Sequence, residues 1–112
     1  MLVCRMRIIA RNTLREFVDS LAGREDHRAV KSGLDAWFDI VKKASWQNSA
    51  QVKWSFATAS IASSDRIVFN INGNAYRLVT AMDFKKWIVW IKWIGSHRDY
   101  DRIDALEIEH DG

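Results

Sequence analysis

The sequence predicts a single α+β domain, in which two N-terminal helices pack on one face of an antiparallel sheet and a short helix ends the fold. Three observations predict this class: an apolar stripe at helical spacing in the first half, alternating apolar residues in the second half, and the dipeptide Asn72-Gly73 between two alternating runs. Hydrophobic residues make up 48% of the 112-residue chain, which excludes a disordered protein and suits one core. We therefore expect residues 1–112 to form one domain with an acidic tail from about residue 107.

The first half of the chain predicts one short strand, residues 7–10, followed by two helices. Thr13 and Glu16 have the spacing of a capping box, so the first helix is expected over 13–22. The second helix is expected over 26–44. Its apolar residues recur every three or four positions and define one buried face: Val30, Leu34, Trp37 and Val41.

The segment 45–64 is polar and irregular, and the residues that follow it predict a sheet. Three aromatic residues of this segment are expected to anchor it on the core: Trp46, Trp54 and Phe56. The second half predicts three strands and a short final helix, over residues 66–71, 75–84, 87–94 and 99–106. Asn72-Gly73 indicates a tight hairpin turn because both turn positions need positive φ, and Lys85-Lys86 can form the next turn.

These two turns, taken as two-residue loops, predict the register of the sheet. The expected cross-strand pairs are Phe69 with Tyr76, Val68 with Arg77, Phe84 with Trp87 and Val79 with Lys92. One face is then almost entirely apolar and is expected to pack on the helices: Ile67, Phe69, Ile71, Tyr76, Leu78, Met82, Phe84, Trp87, Val89, Ile91 and Trp93. The opposite face carries Val68, Asn70, Arg77, Val79, Ala81, Asp83, Trp90, Lys92 and Ile94. Arg77 and Lys92 are therefore expected to lie close together on the face away from the helices.

Charge and cysteine content limit the class of function. Residues 1–98 contain 16 basic and 8 acidic residues, whereas the last 14 residues contain six acidic residues and one arginine. A basic body favours a polyanion such as RNA or DNA, and an ordinary solvated surface is the alternative. A single cysteine, Cys4, excludes an internal disulfide and a cysteine-based zinc cluster, and it favours a reducing compartment such as the cytoplasm. No apolar run is long enough to span a membrane.

The segment that follows the third predicted strand, residues 95–101, holds the chemistry. His97 can transfer protons near neutral pH, and Tyr100 and Asp101 follow it at the same edge of the sheet. Together with Arg77 and Lys92 they match what RNA cleavage requires, which is a base, an acid and cations that stabilise the phosphorane. Three further residues are candidates for RNA binding: Asn70, Trp90 and Arg98. No cofactor or metal ion is expected, because the 2′-hydroxyl of RNA is itself the nucleophile.

Each of these residues also has an ordinary structural interpretation. Arg77 and Lys92 can be solvated residues on an exposed sheet face, and His97 can simply end a strand. Two other functions fit the same composition: an RNA-binding module without catalysis, and a transcription or ribosome-associated factor that binds RNA by charge alone. The cluster of His97, Tyr100 and Asp101 beside two cations favours cleavage, because binding alone does not need proton-transfer groups.

Two segments of the sequence indicate a particular protein family. Residues 66–79 and 91–103 resemble the corresponding segments of HigB-family toxins, whose pattern after the strand is Gly, Thr, His, any residue, Glu, Tyr, Asp. In this chain Ser96 replaces the Thr and Asp99 replaces the Glu, and both replacements are chemically close. The resemblance extends over roughly residues 6–106.

The resemblance implies a toxin of a type II toxin–antitoxin pair with a RelE-like fold. Such toxins are endoribonucleases that cut messenger RNA, usually on translating ribosomes, and a HigA-like helix-turn-helix antitoxin neutralises them. A cytoplasmic location and the absence of a membrane partner follow from this implied function. Carried over to the matching positions, the catalytic candidates are Arg77, Lys92, His97, Tyr100 and Asp101.

Overall fold

The protein is described here by a computed structural model that covers residues 5–106 and 108. Within these residues the chain forms four helices and five strands. In chain order they are β1 (Arg7–Ile9), α1 (Arg11–Ser20), α2 (His27–Lys43), α3 (Ser49–Ser55), β2 (Ser60–Ile61), β3 (Arg66–Ile71), β4 (Tyr76–Asp83), β5 (Ile88–Ser96) and α4 (His97–Tyr100). The predicted α+β class is confirmed.

The five strands form one mixed sheet in the order β1-β5-β4-β3-β2. The pairs β5–β4, β4–β3 and β3–β2 are antiparallel, but β1 runs parallel to β5. The expectation of an entirely antiparallel sheet was therefore wrong for the first strand. Parallel neighbours require a long crossover connection, and nearly the whole fold lies between β1 and β5 in the chain.

The hydrophobic core lies between α1, α2 and one face of the sheet. The predicted stripe of α2 is buried, with exposed fractions of 0% for Val30, 4% for Leu34, 1% for Trp37 and 0% for Val41. The sheet contributes the alternate residues of its central strands: Ile67, Phe69, Ile71, Tyr76, Leu78, Met82, Val89 and Ile91. Packing of two helices on this face, as the sequence predicted, therefore forms the core.

The first helix begins two residues earlier than predicted. It starts at Arg11, and Ala10 occupies the N-cap position without a side-chain hydrogen bond. Thr13 lies inside the first turn with only 6% of its surface exposed, and its amide donates to the carbonyl of Ala10 at 3.1 Å. The capping box was wrong because β1 passes into α1 after a single residue, which places Thr13 on the buried side of the helix.

The segment 45–64 contains more regular structure than expected. Asn48 caps α3, because its Oδ1 accepts a hydrogen bond from the amide of Gln51 at 3.1 Å. Trp46 is buried and Phe56 packs against the core, as predicted. Trp54 is 78% exposed, so its predicted role as a core anchor was wrong. It lies on the outer side of α3, a helix that the sequence analysis did not predict.

The β3–β4 turn has the predicted backbone but a longer loop. Asn72 and Gly73 have φ values of 55° and 65°, as the hairpin signal required. The last pair of the ladder is Ile71 with Tyr76, so the loop contains four residues, 72–75. Phe69 consequently pairs with Leu78 and Val68 with Val79, which corrects both predicted pairs. The shift is by an even number of positions, so the side chains of β3 and β4 stay on their predicted faces.

The pairing of β4 with β5 follows the predicted register only near its turn. Ala81 pairs with Trp90, but the ladder then passes from Thr80–Ile91 to Val79–Trp93. Lys92 is thus the extra residue of a β-bulge, and the predicted Val79–Lys92 pair was wrong. The bulge moves Trp93 to the face of Val79, whereas Ile94 packs against the core.

Two smaller corrections concern the ends of β5. Phe84 and Trp87 lie in the turn between β4 and β5, and the ladder begins with Asp83 and Ile88. The final helix covers His97–Tyr100 and is followed by turns, whereas residues 99–106 were predicted to be helical. The acidic tail predicted from about residue 107 lies, apart from residue 108, outside the described residues.

Truncating a side chain of the α2 stripe tests this packing. We expect Leu34→Ala to lower the free energy of unfolding by about 2–5 kcal/mol, because it leaves a cavity between α2 and the sheet. Ile40→Ala on the same helix is the matched control: Ile40 is 42% exposed, and its truncation is expected to change stability by less than about 0.5 kcal/mol. Urea denaturation of both variants checks this, and equal losses would contradict the assigned helix face.

Candidate active site

Arg77 lies near the start of β4 on the face away from α1 and α2. It pairs with Asn70 on one side and with Gly95 on the other. Its Nη1 atom donates to the carbonyl oxygens of Asn74 at 2.9 Å and of Tyr76 at 3.3 Å. These bonds hold the half-buried guanidinium at the β3–β4 turn. A cation in this position is close to the end of β5, where the chain enters α4.

Gly95 provides the space for an aromatic ring beside Arg77. A Cβ atom at this position would lie 2.6 Å from both Cη2 and Cζ2 of Trp93, so the indole covers the glycine. The ring of Trp93 is in turn 6.3 Å from that of Tyr100, with an angle of 48° between the two planes. Trp93 therefore lies between Gly95, the strand partner of Arg77, and Tyr100. A guanidinium can hold a phosphate and an aromatic ring can stack a base, and this part of the sheet offers both residue types.

The junction between β5 and α4 fixes the position of His97. Ser96 is the N-cap of α4, and its Oγ accepts a hydrogen bond from the amide of Asp99 at 3.1 Å. The amide of His97 donates to the carbonyl of Ala75 at 3.0 Å. These two bonds place the first turn of α4 beside the first residue of β4. His97 and Arg98 are exposed there, and Tyr100 is half-buried.

His97 and Arg98 line a cavity of about 710 Å³ at this end of the sheet. The lining also includes Arg24 and Asp26, from the loop before α2, and Tyr76. The hydroxyl of Tyr76 donates a hydrogen bond to Oδ2 of Asp26. Arg24 lies 3.4 Å from the other carboxylate oxygen, Oδ1. The Tyr76–Asp26 bond thus ties the α1–α2 loop to β4 within the lining of this cavity.

The same contact shifts the protonation equilibria of both partners. The hydrogen bond from Tyr76 lowers the pKa of Asp26, and the nearby Arg24 adds to this effect. Burial raises the pKa of Tyr76, and its bond to the Asp26 carboxylate raises that pKa further. Near neutral pH the pair therefore consists of a carboxylate and a protonated phenol, the state in which the hydrogen bond forms.

Other candidates from the sequence lie farther from this junction. Trp90 pairs with Ala81 and lines a separate cavity of about 560 Å³ near the opposite end of β4. Ala81 lies four positions beyond Arg77 on that strand, a distance of roughly 13 Å. Asn70 lies beside Arg77, and its Nδ2 donates to the carbonyl of Thr58 at 3.3 Å.

Lys92 and Asp101 are the remaining catalytic candidates. Lys92 is half-buried at the bulge. Its expected place beside Arg77 stays a prediction. Asp101 is exposed at the end of α4. The β4–β5 pairing thus places Arg77 beside Gly95, whereas the cavity at this end of the sheet is lined by His97 and Arg98 and not by Arg77 or Tyr100.

The sequence analysis missed two features of this region. The sequence predicted Trp93 on the helix-covered face. The β-bulge at Lys92 puts it on the opposite face, and no residue type in the sequence indicates such a bulge. The contact between Asp26 and Tyr76 joins residues 50 positions apart, which periodicity cannot detect. Among residues 5–106 and 108, no three His, Cys, Asp or Glu side chains form a group suited to a metal ion. No described helix is long and apolar enough to cross a bilayer.

Removing the Tyr76 hydroxyl tests the contact with Asp26 through its pH dependence. A carboxyl whose pKa is lowered by folding stabilises the protein above its unfolded pKa, and this stabilisation is lost as pH falls through the folded pKa. We expect wild type to be more stable than Tyr76→Phe at about pH 5 and this difference to shrink towards about pH 2. Urea denaturation across this range measures it, with Tyr100→Phe as the control. A difference that does not change with pH would contradict the contact.

Comparison with known proteins identifies a family for the chain. Residues 30–103, more than half of the sequence, match the family described as HigB_toxin, the RelE-like toxic component of a toxin-antitoxin system. The match covers α2 from residue 30 onwards and all of α3, β2, β3, β4, β5 and α4. No curated protein matches the chain significantly. The chain therefore belongs to the HigB_toxin family, and it is the toxic component of a toxin–antitoxin system.

Proposed function

We propose that this toxin is an endoribonuclease with a RelE-like arrangement that cleaves messenger RNA on translating ribosomes. The observation that carries the proposal is the position of Arg77, which pairs with Gly95 directly before the β5–α4 junction that holds His97. Family membership supports a toxic activity. The basic body of the chain, with 16 basic against 8 acidic residues over 1–98, supports a polyanionic substrate.

The proposed reaction is an internal phosphoryl transfer. A general base removes the proton of the 2′-hydroxyl, and the 2′-oxygen attacks the adjacent phosphorus. The bond from phosphorus to the 5′-oxygen breaks, and a general acid protonates this leaving oxygen. The products are a 2′,3′-cyclic phosphate, which water can open to a 3′-phosphate, and a 5′-hydroxyl. The substrate supplies its own nucleophile, so the reaction needs no metal-bound water.

The residues at the β5–α4 junction suit the steps of this reaction. Arg77 stabilises the negative charge that develops on the phosphorane, because its guanidinium is held in place before substrate arrives. His97 and Tyr100 are the two groups that transfer protons. Lys92 and Asp101 complete the proposed catalytic set as a second cation and an orienting carboxylate. Asn70 and Arg98 are proposed to contact the RNA strand near Arg77 and α4. Trp90, at the opposite end of β4, is proposed to contact RNA only when that part of the sheet face is accessible.

An antitoxin partner is implied by the family, and we propose that it is a HigA-like helix-turn-helix protein. An unrestrained ribonuclease would damage its own host, so the antitoxin is proposed to cover or distort the junction that holds His97. Messenger RNA and ribosomes are cytoplasmic, and the proposed activity therefore places the toxin in the cytoplasm.

Substituting Arg77 and His97 tests the proposed roles. We expect Arg77→Ala to reduce cleavage by about 10²-fold or more, comparable to the loss of a preorganised donor to a developing oxyanion. His97→Ala is expected to reduce it by about 10²-fold or more, as for loss of a proton-transfer group. Arg28→Ala, which removes an exposed cation of α2, is the matched control and should retain activity. The assay is cleavage of mRNA on programmed ribosomes, with circular dichroism to verify folding.

A modified substrate tests whether the 2′-hydroxyl of the RNA is the nucleophile. RNA with a 2′-deoxy sugar at the cut position should resist cleavage, and activity should persist in EDTA when ribosome integrity is controlled. Full activity on the 2′-deoxy substrate would contradict the proposed mechanism. RNA binding without cleavage on any substrate would instead support the alternative of a non-catalytic RNA-binding module.

A further inference from the structure

The sheet face away from α1 and α2 is buried at its centre. Val68 and Val79 pair across β3 and β4 and are only 2% and 0% exposed, and Ala81 is 9% exposed. These residues alternate with Ile67 and Leu78, which belong to the core under the helices, so they point to the second face. The helices α1 and α2 cover the opposite face of the sheet and therefore do not account for the burial of Val68, Val79 and Ala81. Another part of the chain must cover this face.

The chain that follows α4 reaches this face. α4 begins beside Ala75, at the end of the sheet where β4 starts. Arg66 pairs with Ala81 near the other end of the same strands, and it lies two positions before Val68, so both residues are on the second face. Its Nη1 atom donates to the carbonyl of Ile108 at 2.9 Å and lies 3.5 Å from that of Ala105. The described residues 101–106 and 108, here called the C-terminal strap, therefore extend from one end of the face towards the other.

A single turn gives the strap the shape that Arg66 recognises. Oδ1 of Asp104 accepts a hydrogen bond from the amide of Leu106 at 2.9 Å. The backbone carbonyl of Asp104 accepts one from the amide of Ile108, also at 2.9 Å. This turn brings the two carbonyl groups that Arg66 contacts to the same side. Asp104 is exposed, so the turn depends on its side-chain acceptor more than on apolar burial.

The described strap has a small excess of negative charge, which repels RNA bound at the same face. Asp101 and Asp104 are acidic and Arg102 is basic. The strap starts directly after Tyr100, beside the ring of Trp93 and one strand away from Arg77. An RNA strand extending from Arg77 across β3 and β4 would meet both the atoms of the strap and its negative charge. RNA and the strap cannot occupy the Arg66 half of the face together.

We propose that the C-terminal strap determines substrate access: it occupies the Arg66 half of the sheet face and confines RNA to the end formed by Arg77, Gly95 and α4. This inference rests on the proposed function, because it concerns the RNA of that reaction. The proposal predicts that removing the cation Arg66 strengthens RNA binding. A cation that contacts phosphate weakens RNA binding when it is removed, whereas a cation that anchors a competing strap strengthens RNA binding when it is removed.

The experiment uses the full chain and a 2′-O-methyl RNA oligonucleotide of mixed sequence, which cannot be cleaved through its 2′-oxygen. Fluorescence anisotropy measures its affinity for wild type, Arg66→Ala, Asp104→Ala and Asp104→Asn, with Arg28→Ala as the control for loss of a cation elsewhere. We expect Arg66→Ala and Asp104→Ala to bind about threefold tighter or more, because apparent affinity scales with the fraction of molecules whose face is accessible. Asp104→Asn keeps an acceptor for the turn and should lie closer to wild type.

Amide hydrogen exchange gives a readout that does not involve RNA. The amides of Leu106 and Ile108 are expected to exchange faster in Arg66→Ala than in wild type, while amides of β4 stay protected. Unchanged exchange at Leu106 and Ile108 would overturn the anchoring role of Arg66. Faster exchange with unchanged or weaker RNA binding would overturn the role in access and leave the proposed function intact. Failure of wild type and every variant to bind the oligonucleotide would overturn the proposed function and this inference with it.

Discussion

The pairing of β4 with β5 and its one extra residue determine where the functional groups of this toxin lie. Because Lys92 is inserted between Ile91 and Trp93, the residues of β5 beyond the bulge change faces. Trp93 leaves the core side and lies over Gly95 next to Arg77, while Ile94 packs under the helices. Without the bulge, an indole would enter the core and the surface beside Arg77 would lose its aromatic ring.

The end of the sheet is held by contacts that the bulge makes possible and by contacts from the helical layer. The amide of His97 bonds to Ala75, and the hydroxyl of Tyr76 bonds to Asp26 in the α1–α2 loop. β4 thus begins between two fixed elements, α4 on one side and the loop on the other. This explains how a small domain can present exposed polar groups such as His97 on a rigid support, which the proposed catalysis requires.

The sequence was sufficient for features that depend on local periodicity. The stripe from Val30 to Val41 predicted the buried face of α2, and Asn72-Gly73 predicted a turn with positive φ. Features that depend on distant contacts were not predictable in this way. Trp54 was expected in the core because it is large and apolar, yet it lies on the outer side of α3. The parallel pairing of β1 and the bulge at Lys92 likewise have no local sequence signal.

The candidate site was predictable only where it depends on the chemistry of single residues and not on contacts between distant parts of the chain. Arg77 and His97 were identified from residue chemistry and from the resemblance of their segments to a toxin family, whereas Trp93 and the strap bound to Arg66 required the tertiary structure.

The central claim is that RNA binds where β5 enters α4. Titration of ¹⁵N-labelled protein with a 2′-O-methyl RNA oligonucleotide tests it directly by NMR. We expect the largest amide shift changes at Arg77, Gly95 and His97, and changes confined to α1 and α2 would contradict this claim.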